Sequence, residues 1–278
     1  MTLGRSPLRT EGAEVNIAFT RSGQGPTVVL LHGTSASHAV WQPIADSLSA
    51  TAHVVSLDQR GHGRSDKPST GYRGVDFAHD VITVLDFLGI EQAIVAGHSL
   101  GARNAWMAAA LFPDRVISAV CVDYTPFVEP IVLDDLVVRV AAGYRSFDSP
   151  TAIETYLHER YGRLPADAVE RRARWGYEQR DDGLWWPLAD PNAMTQLIDG
   201  LRDPQLEEFL AVQAQMSHIR GKDSKILSAA AWQSAQDVRP TDRWVEDAKC
   251  DHYVAEEAPE RVRTEIAHLL DISAPHNH

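Results

Sequence analysis

The chain has 278 residues, 44% of them hydrophobic and 23% charged, with a formal net charge of −12. These values suit one large soluble α/β domain, with or without an insertion. They speak against a nucleic-acid partner, because neutralising phosphates needs clustered Lys and Arg. No apolar stretch approaches a bilayer span and none follows a basic N-terminal start, so neither a membrane partner nor a signal peptide is expected. The two cysteines, Cys121 and Cys250, lack metal-ligand spacing and read as buried thiols of a reducing, cytoplasmic compartment.

Along the chain, short apolar runs alternate with longer helical patterns. Val28–Leu31, His53–Leu57, Ala93–Ala96 and Ile117–Val122 suit strands buried on both faces of a mostly parallel sheet. Between them, Asp76–Leu88 spaces Phe77, Val81, Val84, Leu85 and Leu88 along one helical face. The Ala-rich Leu100–Leu111 reads as a helix ended by Pro113. The alternation predicts βαβ units with right-handed crossovers. After Pro126 the pattern changes. From about Leu133 to Ala214 the chain is helical in character, rich in Arg and Trp, and has no clear strand run. Leu136, Val140 and Tyr144, then Ile153, Tyr156 and Leu157, mark separate amphipathic helices. Sheet character returns at His218–Arg220, a second short strand is expected near Arg243–Glu246, and Ala258–Leu270 reads as a closing helix. The polar tail Ser273–His278 is expected to fray. The division is thus a first core part at 1–128, a helical lid at 129–214 and a second core part at 215–278.

Gly97-His98-Ser99-Leu100-Gly101 fits G-x-S-x-G in the strand–turn–helix context that the motif requires. Ser99 must sit on a tight, strained turn. The flanking glycines let strand and helix pass close, so that Oγ projects at the carboxyl end of the sheet as a nucleophile. His32-Gly33-Thr34 follows the strand at Val28–Leu31. The N–H groups of Thr34 and Leu100 are expected to form an oxyanion hole, while the His32 side chain reads as structural. The stretch D-Q-R-G-H-G-R-S-D from Asp58 to Asp66 is rich in turn residues, with Asp58 and Arg60 fixing its loop. The candidate base is His252, placed between the last strand and the closing helix. His98 adjoins the nucleophile with its side chain directed away from Oγ, and His218, inside a strand run, reads as a core residue. Two aspartates, Asp123 and Asp223, end strands from which either could orient the imidazole. These residues predict hydrolysis through an acyl-enzyme, with no metal and no organic cofactor.

The H-G turn, D-x-R-G-x-G-x-S, G-x-S-x-G, and a late Asp and His in that order resemble the α/β-hydrolase superfamily over essentially the whole chain. The resemblance implies an α/β-hydrolase fold: a mostly parallel central sheet flanked by helices, with a helical lid inserted after the sixth strand. The segments G-H-S-L-G-A-R-N, V-D-Y-T-P, R-G-K-D-S-K-I-L-S and D-H-Y-V are similar to a narrower group. That group includes acetamidomethylenesuccinate amidohydrolases and, more distantly, N-formylmaleamate deformylases. The run Ala152–Arg160 with Tyr161, and L-P-A-D-A from Leu164, strengthens the first match. Both groups cleave an amide on a small carboxylate-bearing substrate. In them the acid matches Asp123, whereas Asp223 stands where most other hydrolases carry it, so both remain candidates.

The lid carries Arg139, Arg145, Arg160, Arg163, Arg171, Arg172, Arg174 and Arg180, most of them expected to be solvated. Arg139 and Arg160 lie among apolar helix positions and, by the resemblance, bind substrate carboxylate together with Tyr161. Trp175, Trp185 and Trp186 are candidates for lining the pocket, with core packing the favoured role. The expected partner is a small-molecule substrate, with a homodimer left open. Rival readings are a carboxylesterase or lactonase, a cofactor-free dioxygenase on the same fold, and a ligand receptor that retains the triad.

Overall fold

The structure, a computed structural model, describes residues 8–10 and 14–273. Its main sheet contains β1 (Leu8–Arg9), β2 (Ala18–Ser22), β3 (Thr27–Leu31), β4 (His53–Asp58), β5 (Ala93–His98), β6 (Val116–Val122), β9 (Gln215–Gly221) and β10 (Arg243–Asp247), with β7 (Tyr177–Gln179) and β8 (Trp185–Pro187) set apart as a two-stranded ribbon. The order is β1-β2-β4-β3-β5-β6-β9-β10. β2 pairs antiparallel with β1 and β4, and every other pair in the sheet is parallel. Helices α1 (Gln42–Leu48), α2 (Gly74–Phe87) and α3 (Leu100–Leu111) fall between the early strands. Helices α4 (Pro130–Gly143), α5 (Pro150–Arg160), α6 (Ala166–Gly176), α7 (Pro191–Leu201) and α8 (Leu206–Ala211) fall between β6 and β9. α9 (Ala229–Val238), α10 (Val254–Glu257) and α11 (Pro259–Ser273) complete the chain.

The apolar runs explain the layering. β3 and β5 are buried along their whole length, because helices cover both faces of the sheet. Side chains alternate along a strand. Val28 and Leu30 therefore join Ile44, Val262 and Ile266 from α1 and α11 on one face. Val29 and Leu31 join Phe77, Val81, Ala105 and Trp106 from α2 and α3 on the other. Parallel strands all end on the same side, so the loops after β3, β5, β6 and β9 converge at one edge of the sheet.

The segment between β6 and β9 departs from the expected all-helical character. Gly183, at φ 79, turns the chain back so that β7 and β8 pair, and Phe147 bridges to Trp185 alongside. Three-residue strands are too short for alternation to reveal. The segment has its own small core, with Ile153, Leu157 and Leu164 packed on Ala168 and Val169. Tyr253, from the loop after β10, packs against it. The N-terminal pair β1 and β2 and the helix α9 were likewise not anticipated. α9 starts where the Ser228 hydroxyl accepts from Ala231 N–H.

Cys121 and Cys250 are buried free thiols. His218 is a core residue, stacked on Trp244 and bonded to Asp242. Among the described residues, no helix is long and apolar enough to cross a membrane. Ser273 ends α11, and the rest of the polar tail, 274–278, lies outside the described residues.

Candidate active site

Ser99 sits between β5 and α3 with φ 55 and ψ −117, a conformation that L residues adopt only under tertiary constraint. The two flanking glycines are sterically required. A Cβ at Gly97 would lie 1.9 Å from Gly101 O, and one at Gly101 would lie 2.1 Å from Leu31 O. Ser99 N–H donates to Val122 O at 2.8 Å, which fixes the turn to β6. Leu100 is the first residue of α3, so its N–H has no acceptor within the helix. The loop after β3 lies directly against the serine, since a Cβ at Gly33 would meet Ser99 Cβ at 3.3 Å. Thr34 and Ser99 line one small cavity, of about 30 Å³, together with His252, Tyr253, Arg139 and Arg172.

Asp123 ends β6 and is fully buried at φ 55, a left-handed conformation that aspartate tolerates better than most residues. Its Oδ2 lies 2.7 Å from His252 Nδ1. Ser224 Oγ donates to the same oxygen, and Gly221 N–H donates to Oδ1 at 2.9 Å. Burial pushes the Asp123 carboxyl above the carboxylate range, opposed by these two donors and by the charge of Arg220. Burial also holds the His252 imidazole below its ordinary value, helped by the positive charges of Arg139 and Arg172. A neutral His252 donating Nδ1–H to Asp123 leaves Nε2 as a free base. His98 buttresses this loop: its Nε2 lies 2.8 Å from His252 O, so its side chain serves His252 rather than Oγ.

Asp223 is not at the imidazole. Its side chain is 55% exposed and lies 2.8 Å from Arg163 Nη1, whereas that of Asp123 is 0% exposed. The G-K-D-S segment contributes Gly221 and Ser224 around Asp123, and Asp223 points outward from it. The predicted supporting residues fall where expected. His32 bonds within its own loop to Gly33 O and accepts from Gln59 N–H. Asp58 accepts from the N–H groups of His38 and Arg64, and Arg60 forks onto Asp80.

The three predicted substrate residues are dispersed. Only Arg139 lines the Ser99 cavity, and its Nη2 donates to Tyr253 Oη at 3.1 Å. Arg160 and Tyr161 line two neighbouring spaces instead. One is an open mouth of about 390 Å³ that also carries Arg139, Arg163, Lys225, Asp251 and His252. The other is a chamber of about 250 Å³ enclosed mainly by α4, α5 and α7. Arg160 donates to Tyr156 Oη, Tyr161 Oη and Arg139 O. Among the described residues, neither Arg139 nor Arg160 is paired with a carboxylate.

Arg172 is an exception to the solvated majority of lid arginines that the sequence did not single out. It is buried, forks onto Glu256 with Nε at 2.8 Å from Oε1, and lies 4.8 Å from the Tyr161 ring and 5.3 Å from that of Tyr253. The signal was present in α6, where Ala168, Val169, Arg172 and Ala173 share the helical stripe that is buried. The pair ties α6 to α10, just beyond His252.

A family model for the alpha/beta hydrolase fold matches residues 26–259. The chain belongs to the α/β-hydrolase fold family. This hydrolase is 40% identical over 263 residues to a 2-(acetamidomethylene)succinate hydrolase from Mesorhizobium japonicum, spanning 95% of this chain and 94% of that one. A crystal structure of E-2-(acetamidomethylene)succinate hydrolase superposes with a TM-score of 0.92 at 40% identity, covering 95% of this chain and 98% of the other. The thioesterase domain from the curacin biosynthetic pathway is similar in fold alone, at a TM-score of 0.79 and 20% identity over 94% of this chain and 98% of that one. Epoxide hydrolase B from Mycobacterium tuberculosis is 46% identical over 100 residues, or 35% of this chain and 28% of that one.

Proposed function

We propose that this hydrolase cleaves the amide bond of a small carboxylate-bearing substrate through an acyl-enzyme on Ser99. The observation that carries the reading is the 2.7 Å contact between Asp123 and His252, with His252 lining one cavity with a strained Ser99. Ser99 Oγ attacks the carbonyl carbon while His252 Nε2 takes the hydroxyl proton. The N–H groups of Thr34 and Leu100 bind the oxyanion. Collapse breaks the C–N bond, and His252 returns the proton to the leaving nitrogen. Water, deprotonated by the same imidazole, then hydrolyses the ester and restores Ser99. Every proton in the cycle is carried by these side chains and water. The segment 129–214 acts as a lid over this site.

The choice of an anionic substrate rests on charge. A chain with a net charge of −12 repels anions at long range, so binding one needs local positive potential. Arg139 beside Ser99 and Arg160 at the mouth supply it without carboxylate partners among the described residues. The 2-(acetamidomethylene)succinate hydrolase from M. japonicum, as a relative, favours an amide of this kind. The test compares an N-acetyl enamide acid with its methyl ester, following acetate release by NMR. Wild type should prefer the free acid. Arg139→Ala should lower kcat/KM for the acid by about 2–4 kcal/mol in transition-state binding and leave the ester nearly unchanged. Equal loss on both substrates, or preference for the ester, points to a general esterase.

A further inference from the structure

The space at Ser99, about 30 Å³, admits little more than a small acyl group, yet it adjoins a chamber of about 250 Å³. Ala36 and Arg172 line both spaces, so a group held in the chamber lies next to the carbonyl that Ser99 would attack. The chamber is larger than the apolar cavities of roughly 150 Å³ that admit benzene. Its walls are Val137 and Val140 of α4, Leu157 of α5, and Met194 and Ile198 of α7, with Tyr144, Tyr156 and Tyr177 around them. Two arginines, Arg160 and Arg172, reach it. Arg172 is neutralised by Glu256, and Arg160, which also lines the mouth, gives three of its N–H groups to two tyrosine hydroxyls and a backbone carbonyl. The rest of this lining is mostly apolar and desolvates an uncharged guest at little cost.

We infer that this chamber is a subsite for an uncharged aromatic or branched aliphatic group carried by the substrate, alongside the carboxylate and the scissile amide. The inference rests on the amide reading above, and it names a larger substrate class: N-acyl enamide acids with an aryl or alkyl body. The carboxylate faces the mouth at Arg139, the amide carbonyl faces Ser99, and the apolar body enters the space between α4, α5 and α7.

The test uses two compounds that share an N-acetyl enamide and a carboxylate, 2-acetamidoacrylate and α-acetamidocinnamate, which differ by one phenyl ring. Binding to the Ser99→Ala protein is measured by titration calorimetry, so the result does not depend on turnover. The phenyl compound should bind tighter by about tenfold or more. Gly176 lines the chamber, its φ lies outside the left-handed region, and a Cβ there meets no heavy atom within 4 Å. A Cβ at this position therefore displaces no neighbour. Gly176→Phe, and independently Val140→Phe on α4, should bring the two affinities together. Equal affinity in the unfilled protein, absence of binding, or a preference that survives both fillings overturns the inference. Turnover of the two compounds by wild type is read separately. If the binding preference holds but neither compound is cleaved, the subsite stands and the amide reading fails.

Discussion

Replacing Asp123 by Asn tests the charge and geometry behind His252 without changing shape. Oδ1 already accepts from Gly221 N–H, so the amide oxygen of the variant takes that position. The NH₂ group is then left facing His252 Nδ1, where Oδ2 stood 2.7 Å away. An N–H donor at that point forces the imidazole proton onto Nε2 and removes the lone pair that must deprotonate Ser99. A wrong tautomer of this kind costs about 10⁴ in kcat, or roughly 5 kcal/mol at the transition state. Folding should be spared, because the substitution replaces a fully buried carboxyl by a neutral isostere. The assay is steady-state release of acetate from an N-acetyl enamide acid, with thermal melts in parallel. Asp223→Asn is the matched control. Its side chain is half exposed against Arg163, and its loss should change kcat/KM by no more than about twofold. A large loss in Asp223→Asn, or a loss of less than about tenfold in Asp123→Asn, would refute the assignment.

Arg172→Met should destabilise the fold by about 3–5 kcal/mol, because it strands Glu256 as a buried charge. The double variant Arg172→Met/Glu256→Leu should recover much of the melting temperature, and failure to recover would mean that the fork is not the source of the loss. Acidification has its own signature. Burial depresses the imidazoles of His32, to about 4, and of His62 and His252, to about 3 each. The unfolded chain takes up protons near pH 6.5 that the folded chain refuses, so these residues stabilise the fold above that value and lose the contribution below it. Each should cost up to about 1.4 kcal/mol per pH unit below 6.5, seen as a steep fall in denaturant midpoint between pH 6.5 and 4. A flat profile there would contradict neutral burial of these three rings.

The strands of the parallel sheet were legible because burial on both faces leaves no polar alternation, and Ser99 was legible because glycines at 97 and 101 admit only one kind of turn. His252 followed from its place between the last strand and the closing helix. The acid could not be resolved from sequence. Asp123 and Asp223 both end strands, and only the packing of β6 against β9 shows that Gly221 and Ser224 wrap Asp123 while Asp223 turns to Arg163. The ribbon at 177–187 escaped notice because strands of three residues depend on long-range pairing rather than on local pattern. Arg172 was not singled out from the other lid arginines, though the period of α6 placed it on the buried stripe. The chamber beyond Ala36 has no signature in the chain, since it is formed by helices from separate stretches.

The nucleophile is tested most directly by trapping. The protein is reacted with a fluorophosphonate, or quenched early in turnover of an activated acetyl ester, and the adduct is mapped by peptide mass spectrometry. A single adduct on Ser99, absent from a folded Ser99→Ala protein that has lost hydrolysis by several orders of magnitude, is the expected result. An adduct on another residue, or hydrolysis that persists in Ser99→Ala, would contradict a mechanism built on Ser99.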